Sequence, residues 1–144
     1  MYYRIQPIAA ELKGTYLSVN KNDVTAGLIL ADYDASDDCQ LWQMINYIEN
    51  SKSEGFVLLN KKSGLIAFAP DNNSPVSQIK ATSEKLRDNR ISWTLASNEV
   101  FQLYNTDMNL NAGGGPYTDG AAVYVWSWGK GQPNEKWRFI AQEF

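Results

Sequence analysis

Lys136-Trp137-Arg138-Phe139-Ile140 decides the fold, because its tryptophan context occurs twice more upstream, as Leu41-Trp42-Gln43-Met44-Ile45 and Ser92-Trp93-Thr94-Leu95-Ala96. The three tryptophans lie 51 and 44 residues apart. Self-similarity at such a period marks a chain built from stacked units, none of which buries its apolar face alone. Each tryptophan is preceded by the same order of short alternating segments. A first strand is expected around Tyr3-Ile5, Phe56-Leu58 and Phe101-Leu103, and a second around Leu17-Val19, Leu65-Ala67 and Leu110-Ala112. A third follows at Leu28-Leu30 and Val123-Val125, each ending twelve residues before its tryptophan, with Val76-Ile79 as a shifted counterpart in the second unit.

Four short strands per unit, bounded by Gly, Asn, Asp and Pro turns, describe an all-β domain. The economical closed arrangement of three such units is a β-trefoil, one domain over 1–144, with repeats near 1–46, 47–97 and 98–144. The stretch from Gln78 to Arg90 is rich in helix formers, but its charges alternate in sign and it reads as an elongated loop of the second unit.

The third unit is the one equipped for binding. From Met108 to Trp137 it places amides beside Gly113-Gly114-Gly115, a strand with aromatics on one face, and Asn134-Glu135 just before the tryptophan. The period of two in Val123 to Trp128 sends the valines to the core and Tyr124, Trp126 and Trp128 to the opposite face, where three large rings form either a second packing layer or a platform for a ligand; the polar, flexible residues on both sides favour the platform.

Composition narrows the chemistry. The chain has 144 residues, long enough for one well-buried core, and its five Trp and eight Tyr exceed what such a core needs. A net charge of −3 argues against nucleic acid as a partner. With no histidine, the Ser-His-Asp and Cys-His nucleophiles and the commonest metal ligand are all excluded. The single cysteine, Cys39, cannot form an internal disulfide. No segment has the length and apolarity to insert in a membrane, and the first residues lack the pattern of a signal peptide. The expectation is therefore a cytoplasmic protein, or one exported without a classical signal. Asp32 to Asp38 crowds carboxylates as a calcium loop does, but Asp37 stands where that loop needs glycine and Gln43 where it needs its last acid. It reads as a solvated loop, so no metal and no cofactor are expected.

At Gln40-Leu41-Trp42 the chain carries a Q-x-W signature, and with the three-unit pattern it resembles the ricin-type (R-type) β-trefoil lectins. In that family the motif closes each repeat and packs its tryptophan into the common core. The signature is whole only once, since Ile91-Ser92-Trp93 and Glu135-Lys136-Trp137 keep the tryptophan alone. The resemblance implies a non-catalytic protein that binds glycans of the galactose or N-acetylgalactosamine type. Its sites use an acid or amide on the second strand, an aromatic ending the third, and an Asn just before Q-x-W. Carried over, the third unit supplies Asn111, Trp126 and Asn134, with Glu135 at the Gln position, Trp128 on the same aromatic face, and Gly113 and Gly114 offering backbone N–H groups. The first unit has Ser18, Ala31 and Cys39 at those places, and the second Ile66, Ile79 and Arg90.

Two other function classes fit a β-trefoil. One is a protein-interaction module such as a protease inhibitor, which needs only the apolar patch and not the amides. The other is a glycosidase, which needs two carboxylates at a set separation, and Asp119 and Glu135 are the acids expected near the platform. A single shallow sugar pocket binds weakly, so a homodimer or a partner domain is the expected source of avidity.

Overall fold

The computed structural model describes residues 1–49, 52–80, 90–95, 99–127 and 131–143. The strands fall in the expected three groups. β1 (Tyr2–Pro7), β2 (Thr15–Ser18), β3 (Ile29–Asp32) and β4 (Trp42–Glu49) make the first. β5 (Lys52–Asn60), β6 (Ile66–Phe68), the two-residue β7 (Ser74–Pro75), β8 (Ser77–Ile79) and β9 (Ser92–Leu95) make the second. β10 (Phe101–Leu103), β11 (Met108–Asn111), β12 (Tyr124–Ser127) and β13 (Trp137–Gln142) complete the third. Helix among the described residues is limited to 3-10 turns at Ile8–Ala10, Asp38–Gln40 and Pro133–Glu135. The helix-rich stretch after Gln78 falls mostly at 81–89, outside the described residues.

The outer strands of each unit pair antiparallel in the order β13-β1-β4-β5-β9-β10. The ring returns on itself through a bridge between Val100 and Lys136, beside which Trp137 N–H donates to Glu99 O at 3.0 Å. The result is a six-stranded barrel with few open edges. The inner strands form three hairpins, β2–β3, β6–β8 and β11–β12, that cap it.

Two sets of backbone bonds express the threefold relation. Ile8 N–H donates to Lys136 O, Lys61 N–H to Leu41 O and Tyr104 N–H to Ser92 O, each at 2.9 Å, so the residue before every tryptophan holds the end of a neighbouring first strand. In the cap, Leu28 N–H donates to Val76 O at 3.0 Å, Val76 N–H to Val123 O at 2.9 Å, and Val123 N–H to Leu28 O at 3.2 Å. These three bonds close a ring, and Leu28, Val76 and Val123 are all buried around it.

The core repeats in the same way. Ile5, Leu58 and Leu103 are buried in the first strands, and Phe56, Phe101 and Phe139 bring their rings together at centroid separations of 5.2 to 6.2 Å. Trp42, Trp93 and Trp137 are each at most 1% exposed, as expected for equivalent core positions. Their indole N–H groups differ. Trp42 Nε1 donates to Leu17 O at 3.0 Å and Trp137 Nε1 to Leu110 O at 2.9 Å. The matching carbonyl of the second unit, Leu65 O, accepts instead from Asn60 N–H, and Trp93 Nε1 has no partner among the described residues. Trp93 is held by stacking on Phe101, with centroids 5.3 Å apart and planes 10° from parallel.

A buried donor without a partner gives back none of its desolvation cost, whereas deleting a paired one strands a carbonyl. Trp93→Phe is therefore expected to be milder than Trp42→Phe or Trp137→Phe by about 1–2 kcal/mol in chemical denaturation. Equal losses at all three positions would show that the indole N–H contributes nothing here. Truncation of any of the three to Ala should cost about 3–5 kcal/mol.

Candidate ligand site in the third unit

The β11–β12 hairpin pairs Asn109 with Trp126, Leu110 with Val125 and Asn111 with Tyr124. Strand alternation then has a fixed result. Val123 and Val125 are buried completely, while Trp126 stands 46% exposed on the other side. Tyr124 meets Trp126 edge-on, at 6.3 Å and 88°, and braces the exposed ring. Between the strands the chain turns sharply, with Gly113 at φ +81° and Gly115 at φ +93°. Across from it the 3-10 turn Pro133–Glu135, entered through Pro133, presents Asn134. Ala112 N–H donates to Asn134 O at 2.9 Å and ties that turn to the hairpin.

These elements enclose an open pocket of about 400 Å³ lined by Asn111, Gly113, Gly114, Tyr124, Trp126 and Asn134. Five of the seven residues named from sequence thus meet in one place, and Tyr124 joins them. Of the other two, Trp128 lies outside the described residues. Glu135 is 2% exposed and is absent from the lining; its Oε2 accepts from Gly131 N–H at 2.9 Å and pins the chain before Asn134. Asp119 also lies elsewhere, since its Oδ1 accepts from Asp32 N–H at 2.9 Å beside the first unit. Among the described residues the lining therefore carries two amides and two aromatic rings but no carboxylate. Asn111 Oδ1 accepts from Gly113 N–H at 2.8 Å, and Asn134 Nδ2 donates to Gly113 O at 2.9 Å, so both amides hold the glycine turn as well as face the pocket.

No protein-family model and no functionally described protein matches the sequence. Solved structures do match in shape. A designed threefold-symmetric protein, ThreeFoil, superposes with a TM-score of 0.78 at 18% identity, covering 98% of this chain and 99% of that one. The C-terminal half of an earthworm R-type lectin in complex with GalNAc gives 0.71 at 16% identity, over 98% of each chain. The ricin B-like lectin of Macrolepiota procera in complex with lactose gives 0.73 at 19%, over 99% and 96%. The fold is a β-trefoil.

Within this trefoil the other units offer different surfaces at the equivalent place. In the first, Val19 N–H donates to Cys39 O at 3.1 Å, the counterpart of the Ala112 to Asn134 bond, but a thiol stands where the third unit has its amide. Burial and the neighbouring Asp37 push that thiol up to about 12, so it stays protonated. A larger cavity of about 630 Å³ does lie here, lined among others by Ser18, Ala31, Tyr33, Asp34 and Asp119. Its aromatic is Tyr33, two residues beyond the position of Trp126, with the Arg4 guanidinium 4.8 Å over its ring. The Asp32 to Asp38 loop is occupied with itself: Asp34 Oδ1 accepts from Ser36 N–H and Oγ–H, and these bonds hold the Asp34 carboxyl below its ordinary range. Asp37 Oδ1 accepts from Cys39 N–H. In the second unit Ile66 is buried, Ile79 lies in β8, and Arg90 donates from Nη2 to Asn72 Oδ1 at 2.7 Å.

The glycine turn can be tested apart from the amides. A Cβ on Gly113 would sit 3.6 Å from the Tyr124 ring at a positive φ, while one on Gly114 would meet nothing within 4 Å. Gly113→Ala should destabilise the protein by about 1–2 kcal/mol in thermal or urea melts. Gly114→Ala should leave the melt unchanged, and a reversed order would contradict the turn geometry.

Proposed function

We propose that the chain is a non-catalytic, lectin-type carbohydrate-binding module whose working site is the third-unit pocket. The observation that carries this reading is an exposed Trp126, braced by Tyr124, beside two amides and a glycine turn in one concavity. A pyranose presents one face of C–H bonds and a rim of hydroxyls. The face lies flat on an indole, and the rim needs donors and acceptors at fixed positions. Trp126 supplies the stack, Asn111 and Asn134 the directional bonds, and Gly114 an uncrowded approach. Two of the similar structures were solved with GalNAc and with lactose bound, which supports a galactose-type sugar as the first to try.

One ring and a few hydrogen bonds yield roughly −4 to −5 kcal/mol, a Kd near millimolar, so a homodimer or a partner domain is proposed to supply avidity. Among the described residues the lining holds no carboxylate or amine, and the chain has no histidine. Sugar affinity should therefore be flat from about pH 5 to 8 and unaffected by a chelator.

Titration of lactose and N-acetylgalactosamine, after a glycan-array screen, tests the site with two variants that make opposite demands. Trp126→Ala should weaken binding at least tenfold, about 1.4 kcal/mol, and leave the melting temperature nearly unchanged because Val125 and the core beneath are untouched. Trp137→Ala should lower the melting temperature and reduce binding only through loss of folded protein. Sugar binding that survives Trp126→Ala, or no sugar bound by the intact protein, would remove this site from consideration.

A further inference from the structure

Behind the pocket lies an amide that does not line it. Asn109 and Asn111 sit two apart on β11 and so share a face, and Asn109 is completely buried. Asn109 Nδ2 donates to Ser127 O at 3.3 Å, and Asn109 Oδ1 accepts from Asn111 Nδ2 at 3.3 Å. The run continues through Gly113 N–H to Asn111 Oδ1 and from Asn134 Nδ2 to Gly113 O. All four bonds point the same way.

The direction follows from the end at Ser127. A carbonyl oxygen only accepts, so Asn109 must turn its nitrogen to Ser127 and its oxygen to Asn111. Asn111 must then turn its oxygen to Gly113, and Gly113 leaves its own carbonyl for the nitrogen of Asn134. Reversing any one side-chain amide would set oxygen against oxygen or N–H against N–H. What remains at the far end is Asn134 Oδ1, which is buried and has no hydrogen-bond partner among the described residues. Asn134 also lines the pocket, so an occupant that settles against this wall can bring the donor that its Oδ1 lacks. Buried acceptors are rarely left unpaired in folded proteins. The other two units cannot build this run, having Tyr16 and Ser18, or Gly64 and Ile66, at the positions of Asn109 and Asn111.

We propose that Asn109 is a positioning residue whose one-way amide run fixes Asn134 Oδ1 as an obligate acceptor, so that the pocket selects a ligand donating an O–H or N–H at that point. The inference rests on the carbohydrate reading of the same pocket and adds which hydrogen-bond polarity the sugar must present. Asn111, with one N–H and one lone pair still uncommitted, accepts either polarity from a neighbouring hydroxyl.

The probes are lactose and a set of monodeoxy and monofluoro methyl galactosides, titrated by NMR alongside thermal melts. A deoxy position offers neither donor nor acceptor, whereas a fluoro position keeps a weak acceptor and loses the donor. In the intact protein one ring position should exist at which the deoxy and fluoro derivatives both bind at least tenfold more weakly than the parent. Asn134→Ala should abolish that difference, so that parent and derivatives bind within about twofold of one another, while the Trp126 fluorescence response to sugar persists. Asn109→Ala should weaken the discrimination severalfold, and Asn109→Asp, whose buried carboxyl can still accept from Asn111 and, protonated, donate to Ser127 O, should restore it. These are readouts that a merely structural role for Asn109 would not move. If Asn109→Ala does not fold, the Asn134→Ala comparison decides alone. Fluoro derivatives binding as well as the parent at every position, or full discrimination surviving Asn134→Ala, would overturn the inference and leave the sugar site standing. If none of the galactosides or arrayed glycans binds, both readings fall together.

Discussion

Three backbone hydrogen bonds, from Leu28 to Val76, Val76 to Val123 and Val123 back to Leu28, are the constraint on which the cap depends. Each lies at the start of one unit's third strand, so fixing any two of these strands fixes the third. Buried peptide groups must find partners, and here the partners come from chain segments 48, 47 and 95 residues apart. The candidate binding face follows from this ring. Because Val123 is anchored in it and Val125 points inward, alternation leaves Tyr124 and Trp126 no place but the outer surface. The same bonds that close the fold therefore aim the aromatic platform.

What could be read from sequence is what repeats locally. Three tryptophans with apolar neighbours, and strands of period two ahead of them, depend on spacing along the chain, and the strand order, the burial of Trp42, Trp93 and Trp137, and the exposure of Trp126 all follow from that. Pairings across the fold left no such trace. Asp119 reaches Asp32 over 87 positions, and Glu135 turns away from the pocket toward Gly131, because a loop needed an acceptor there. Asn109 was legible only in part: its place two residues before Asn111 puts both on one face, but nothing local says that Ser127 waits across the ladder.

The position two residues before each tryptophan shows how one backbone accommodates different chemistry. At the Gln position of the Q-x-W motif, Gln40 is buried and accepts from Arg4 Nη1 at 2.6 Å, Ile91 fills an apolar cluster with Val57, Ile66 and Phe68, and Glu135 holds Gly131. All three are at most 2% exposed. A fully satisfied polar group, an apolar side chain and a pinned carboxylate are interchangeable here because each meets the rule for buried groups in its own way. This is why the tryptophan persists where the rest of the motif does not.

A threefold fold also separates what stability needs from what binding needs. The barrel asks the same of every unit, namely a buried tryptophan, an apolar first strand and a bond into the cap ring, and all three comply. Beyond those demands the hairpin surfaces are free to differ. The third unit carries amides there, and Asn111 and Asn134 are both bonded to the glycine turn before any ligand arrives. Such prior bonding lowers the entropy lost when a ligand orders the site. It also has a cost in adaptability, because an amide held in one direction, as Asn134 is by Gly113 O, cannot turn to suit a ligand of the other polarity. A pocket with freely rotating amides would accept more ligands and hold each less well; the pocket beside Trp126 is built the other way, and the selectivity proposed for it rests on the turn and the buried strand as much as on the side chains that line it.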